Sequence, residues 1–233
     1  MIIEANMEFF LLLPLVTIVF FIVIAIAFIV GFYNSDRFKN PEEYKDAGST
    51  GERIIYTTLR DKIHIPEKQI LRNVYIPTAD GKTSEIDLLV VSRKGLLVFE
   101  CKNYAGNIYG DMKRKKWIQY LGKQKNFFYN PFLQNKNHVK HLKEYLEQFG
   151  DLPSYPFVTT ISRGKWKVRN LGPNDYFLGY NCHLIDIYNT LPDSGLIIKH
   201  YSSIMNRLIP LSRPNEEVKK QHINAIKPGY YGN

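Results

Sequence analysis

The chain has 233 residues, 45% of them hydrophobic and 23% charged, with 31 Lys and Arg against 22 Asp and Glu and a net charge of +9. With the hydrophobic N-terminal run and its flanks set aside, about 190 residues remain, which suits one globular domain with an ordinary core. The positive balance points to an anionic partner, either nucleic acid or an acidic membrane surface. Cys101 and Cys182 lie in apolar or strand-like segments without metal-ligand spacing, so both are expected as small buried thiols in a reducing compartment.

Phe9 to Phe32 is uncharged and almost wholly apolar, and at about 1.5 Å per residue it can cross a hydrocarbon layer about 30 Å thick. The residues before it include Glu4 and Glu8 but no Lys or Arg, and no small-residue cleavage site follows, which argues against a cleaved signal peptide. The expectation is a short tail over 1–8 and a retained transmembrane helix over 9–32. Arg37, Lys39 and Lys45 follow that span. The positive-inside tendency then predicts a single-pass protein of the cell membrane with its C-terminal domain in the cytoplasm. Residues 33–48 are polar, mixed in charge and expected as a linker.

Ser49 followed by Glu52 has the spacing of a capping box ahead of Ile55, Leu59 and Ile63 on one side of a helix. The cap accounts for Glu52; reach toward a site at the sheet edge accounts for it equally well. Gln69–Ile76 predicts a strand, residues 77–81 a turn, and Glu85–Lys102 two strands joined at Ser92–Gly95. By strand alternation Glu100 and Lys102 share one face, and Leu97, Phe99 and Cys101 the other. Glu85 and Asp87 likewise oppose Ile86, Leu88 and Val90. A hairpin of the right register would therefore bring Asp87 beside Glu100 and Lys102. Two carboxylates and an amine converging on one face suit a hard divalent cation, Mg²⁺ or Mn²⁺, and the hydrolysis of a phosphodiester. The plain alternative is a surface salt bridge.

Lys113, Arg114, Lys115 and Lys116 form a basic turn among Tyr109, Trp117 and Tyr120, with Lys123, Lys125 and Phe127 close behind. Basic residues interleaved with aromatics suit a phosphate backbone and its bases, although a lysine run is also what a solvated turn carries. Asn130-Pro131 opens a helix with Phe132, Val139, Leu142, Leu146 and Phe149 as its buried stripe. Gln134, His138 and His141 fall together on another, partly exposed face, where contact with phosphate is the best use for the histidines. Phe157–Ser162 predicts a buried strand. Beyond it, Trp166 and Val168 suggest a strand, His183–Ile187 a short strand with His183 and Asp186 on opposite faces, and Ser194–Leu208 an amphipathic helix. Residues 163–212 are expected as a C-terminal extension packing on the core, and 213–233 as a basic, disordered tail.

In order, Gly51-Glu52, Glu85-Ile86-Asp87, Glu100-Cys101-Lys102-Asn103, Gly106, Trp117 and Asn130-Pro131 with Gln134 resemble the nuclease-related domain family, a branch of the PD-(D/E)xK nuclease superfamily. The resemblance implies an α/β fold: a restriction-endonuclease-like αβββαβ core over 49–162, a mixed central sheet flanked by helices. It further implies Mg²⁺ held by Asp87, Glu100 and the backbone carbonyl of Cys101, with Lys102 handling the water and Glu52 and Gln134 completing the site. The expected activity is that of a membrane-anchored, Mg²⁺-dependent nuclease, with DNA ahead of RNA as substrate and Lys113, Arg114, Lys115, Lys116, Lys123 and Lys125 meeting nucleic acid. A catalytically inactive nucleic-acid-binding or membrane-tethering module on the same fold is the second expectation.

Overall fold

A computed structural model describes residues 47–161, 164–179 and 183–212, together with residues 23, 24, 26, 217, 218 and 220–222. The predicted span over 9–32 lies outside the described residues except for Val23, Ile24 and Ile26, which are helical. Among the described residues no helix is long and apolar enough to cross a membrane. Residues 33–46 of the expected linker and Cys182 also fall outside them; the linker's last two residues open a helix, and Cys101 is a free thiol. The chain divides into two compact units, Met1–Ser49 and Thr50–Asn233, and both sheets belong to the second.

Helix α1 spans Ala47–Thr57 and runs on into a π-helical turn over Thr58–Lys62. It begins before Ser49, so Ser49 and Glu52 are not its cap. Ile55 and Leu59 are buried from it, with Ile63 packed beside them, as the periodicity predicts. Strands β1 (Ile70–Pro77), β2 (Thr83–Ser92) and β3 (Gly95–Cys101) follow as an antiparallel meander. Every residue from Gly95 to Glu100 is buried, as in a strand covered on both faces.

The third strand ends at Cys101. Gly106 has φ 80, and a Cβ there would collide with the Tyr120 carbonyl, so the chain turns into a second sheet. That sheet holds β4 (Asn107–Asp111), β5 (Lys116–Leu121) and β6 (Gln124–Tyr129), all antiparallel. Helix α2 (Pro131–Tyr145) then starts where the sequence says it should: Asn130 Oδ1 accepts the Phe132 N–H at 2.9 Å, and Pro131 takes the first helical position. Its crossover returns the chain to β7 (Ser154–Thr159), parallel to β3.

The last third completes both sheets. β8 (Trp166–Arg169) pairs in parallel with β4, and β9 (Tyr176–Leu178) with β7, giving strand orders β1-β2-β3-β7-β9 and β6-β5-β4-β8. The short strand expected at His183–Ile187 is instead a helix, α3 (Leu184–Thr190). On a helix residues three apart are neighbours, so His183 Nδ1 and Asp186 Oδ2 meet at 3.4 Å in solvent rather than pointing apart. Helix α4 (Gly195–Leu208) is capped by Ser194 and buries Ile197, Ile204 and Leu208.

The five-stranded sheet lies between two apolar clusters. One gathers Leu89, Val91, Leu96 and Val98 with Leu142 of α2 and Ile204 of α4. The other gathers Leu88, Val90, Leu97 and Phe99 with Ile55 of α1 and Leu184 of α3. A third, built on Trp117, Ile108, Phe132 and Val158, fastens the inner face of the four-stranded sheet to α2 and β7. The architecture is mixed α/β with sheets flanked by helices.

Candidate active site

The alternation that separates the two faces of β2 is interrupted at Asp87. Leu88 and Val90 join the α1 cluster, but Ile86 joins the α2 cluster with Leu89. The β1–β2 register passes from Arg72↔Leu88 to Val74↔Ile86, and the skipped residue opposite Asp87 is Asn73, at φ 49. Asn is among the few residues that tolerate this left-handed conformation. The predicted regular partition of Glu85 and Asp87 from Ile86, Leu88 and Val90 therefore fails, the regular pleat being interrupted opposite Asp87 at Asn73.

β2 and β3 separate at the same place. Their ladder ends at Leu88↔Phe99, and beyond it the Cys101 N–H donates to Asp87 Oδ2 at 2.7 Å. The strand ends open onto a cleft of about 690 Å³ whose lining includes Asp87, Glu100, Lys102, Glu85, Gln134 and His138. Glu100 is only 1% exposed, with Oε1 2.5 Å from Lys102 Nζ and Oε2 3.0 Å from His138 Nε2. The hairpin thus does bring Asp87, Glu100 and Lys102 together, and the Lys102–Glu100 pair is buried rather than a surface salt bridge.

The electrostatics set the two carboxylates apart. Burial pushes the Asp87 carboxyl well above the usual carboxylate range, and the Glu100 and Glu52 carboxylates push the same way, against Lys102 and the Cys101 N–H. Burial also works to raise Glu100, but the Lys102 ammonium and His138 hold it below its ordinary value. The Cys101 thiol is driven well up by burial and by Asp87, and its side chain packs against the α1 cluster. Glu52 is felt electrostatically at Asp87 and Cys101, although it is not among the residues that line the cleft.

His138 and His222 depart from expectation. His138 is 8% exposed and bridges the sheet: Nε2 meets Glu100, and Nδ1 lies 2.7 Å from Ser84 Oγ. Facing the sheet from α2, it is not on a solvated helix face awaiting phosphate. His141 lines the cleft. His222, placed by the sequence in a disordered tail, is helical and 6% exposed, with Nε2 3.3 Å from Glu85 Oε2 and Nδ1 2.8 Å from Thr83 Oγ1. Tyr75 also donates to Glu85, at 2.7 Å, and together with His222 it holds Glu85 below its usual value although burial opposes this. Ser84, His138 and His222 carry no motif; only a strand register and a packed helix reveal them.

The basic residues lie on the second sheet. Lys113, Arg114 and Lys115 occupy the exposed β4–β5 turn, Lys116 begins β5, Lys123 sits in the β5–β6 turn and Lys125 on β6, all exposed. The first turn is tied to the start of α2, with the Asn130 N–H donating to the Lys115 carbonyl at 2.8 Å and Asn130 Nδ2 to the Arg114 carbonyl at 3.0 Å. Among the described residues no three His, Cys, Asp or Glu side chains converge on a metal position; the expected donor set needs only two carboxylates and a carbonyl.

Residues 47–161 match the family model described as nuclease-related domain. An uncharacterised protein of Bacillus anthracis is 28% identical over 179 residues, which covers 77% of this chain and 83% of that protein. No solved structure gives a significant match.

Proposed function

Since residues 47–161 are a nuclease-related domain, we propose that the protein is a Mg²⁺-dependent nuclease that hydrolyses phosphodiester bonds, with DNA the favoured substrate. The observation that carries this reading is the meeting of Asp87 and Glu100 where β2 and β3 part, with Lys102 held against Glu100. The residues present fit a hard cation. Asp87, Glu100 and the Cys101 carbonyl offer oxygen alone, and the carboxylates gathered here exceed the positive charge of Lys102. Two protein carboxylates also leave Mg²⁺ the several waters it prefers to keep.

When bound, the cation would make water a better nucleophile and offset charge on the phosphate. The protein's own groups do the rest. Lys102 Nζ, fixed by Glu100, orients the attacking water and donates to the phosphate oxygens as their charge grows. Asp87 is positioned by the Cys101 N–H, and Glu100 by His138 on one oxygen and Lys102 on the other. Glu52, on α1, and Gln134, on α2, complete the site from the two helices beside the sheet. Lys113, Arg114, Lys115, Lys116, Lys123 and Lys125 supply positive potential for the nucleic acid. Residues 9–32 anchor the protein in the cell membrane with this domain in the cytoplasm.

The test is incubation of the purified full-length protein with DNA or RNA, with Mg²⁺ or Mn²⁺ and then with EDTA. Cleavage that needs the cation is expected, DNA being cut faster. No cleavage of either polymer would leave only a binding module on this fold.

A further inference from the structure

Among the described residues the four-stranded sheet is covered on one face only. Trp117, Ile108, Phe128 and Trp166 turn inward. The other face can be read from the register: Tyr109 pairs with Ile118 and Lys167, Ile118 with Phe127, and Tyr120 with Lys125. Paired residues share a face. Tyr109, Tyr120 and Phe127 are exposed on it, Phe127 at 57%. Burial does not account for these rings, since Tyr109 keeps 41%, Tyr120 37% and Phe127 57% of its surface exposed.

Cations stand among the rings. Lys125 Nζ is 5.1 Å from the Phe127 ring centre, and Lys167 Nζ is 5.5 Å from that of Tyr109. The carboxylate on this face, Asp111, is paired with Arg169 at 3.3 Å. The Tyr109 and Tyr120 rings sit 5.6 Å apart and perpendicular. We infer that this face binds single-stranded nucleic acid, with bases stacked on Tyr109, Tyr120 and Phe127 and phosphates met by Lys125 and Lys167.

Charge complementarity selects the partner: exposed rings set among lysines match a polymer that alternates base and phosphate. A duplex hides the faces of its bases inside the stack, so exposed rings have a use only with unpaired ones. The face also leads to the cleft. β6 sets Lys125, Phe127 and Tyr129 at alternate positions, about 6.7 Å apart, and Tyr129 lines the cleft. A strand lying along this face would be delivered to Asp87 and Glu100. The inference rests on nucleic acid being the substrate of that site and deepens it by naming the single-stranded form.

Fluorescence anisotropy of the full-length protein in EDTA, with labelled oligo(dT), oligo(U) and a duplex, tests it without cleavage. The single strands should bind more tightly than the duplex. Tyr109→Ala and Phe127→Ala should each weaken oligo(dT) binding about fivefold or more with an unchanged melting temperature, and Lys125→Ala should flatten the salt dependence. Equal affinity for duplex, no effect of the ring variants, or a preference for phosphatidylglycerol vesicles over oligo(dT) would each overturn the inference. Oligo(dT) binding without any metal-dependent cleavage would sink the nuclease reading alone. Duplex cleavage by a protein whose ring variants bind oligo(dT) like the parent would sink this one alone.

Discussion

Among the described residues the five-stranded sheet is covered on both faces and the four-stranded sheet on one, and a charge means something different in each. In β3, Leu96 to Phe99 are all fully buried and Glu100 follows them at 1% exposure. A carboxylate there forfeits its hydration and must be held by Lys102 and His138. On β5 and β6, Lys116 and Lys125 are exposed, and a lysine at such a position costs almost nothing. A buried charge in the first sheet therefore demands an explanation from function. In the second sheet the lysines need none, and it is the exposed rings that do.

That contrast predicts opposite responses to the same substitution. Phe99→Ala, which removes a fully buried ring stacked at 5.0 Å on Phe157, should cost about 3–5 kcal/mol in urea unfolding, whereas Phe127→Ala should change stability by no more than about 0.5 kcal/mol. Comparable losses would mean that the outer face is covered after all. On the inner face of the small sheet, a Cβ at Gly110 would fall 2.5 Å from the Trp117 ring. Gly110→Ala should therefore lower stability by about 1–3 kcal/mol, and a neutral result would show that cluster to be loose.

The Glu100 partner gives a functional counterpart. His138→Ala should lower Mg²⁺ affinity or cleavage about tenfold or more, as loss of a group that orients a ligand does, and titration calorimetry would read it. An unchanged affinity would show that Lys102 alone positions Glu100. A smaller effect belongs to the α1 side of the large sheet. Burial, and then the hydrogen bond to Glu67 at 2.5 Å, push the Tyr56 hydroxyl up to about 12. Because the folded value lies above the ordinary 10.0, its contribution to stability is complete below pH 10 and fades as pH climbs from about 10 to 12. Tyr56→Phe should abolish that part of the alkaline loss in a melting series, and an unaltered pH profile would contradict the assignment.

What could be read from the sequence was whatever local rules govern. Strand alternation puts Glu100 and Lys102 on one face, a hairpin register brings Asp87 near them although the alternation of its own strand breaks there, and an Asn-Pro cap fixes where the Gln134 helix begins. The rest depends on long-range structure. His138 acquires its role because α2 crosses the sheet over Ser84 and Glu100, fifty-four and thirty-eight residues away. His222 reaches Thr83 across 139 residues, and no pattern within the tail announces it. The break in β2 at Asp87 was hidden because period-2 patterning assumes a regular pleat, and Asn73 on the neighbouring strand departs from it. The helix at Leu184–Thr190 was mistaken for a strand because so short an apolar run has no decisive period.

The central claim is that Asp87, Glu100 and Lys102 form one hydrolytic site, and single-turnover cleavage of labelled DNA in Mg²⁺ tests it most directly. Asp87→Asn, Glu100→Gln and Lys102→Ala would be measured beside the parent, with circular dichroism confirming the fold of each. The parent should cut and lose all activity in EDTA, and each folded variant should fall by about a hundredfold or more. Folded variants that cut as fast as the parent would contradict the account.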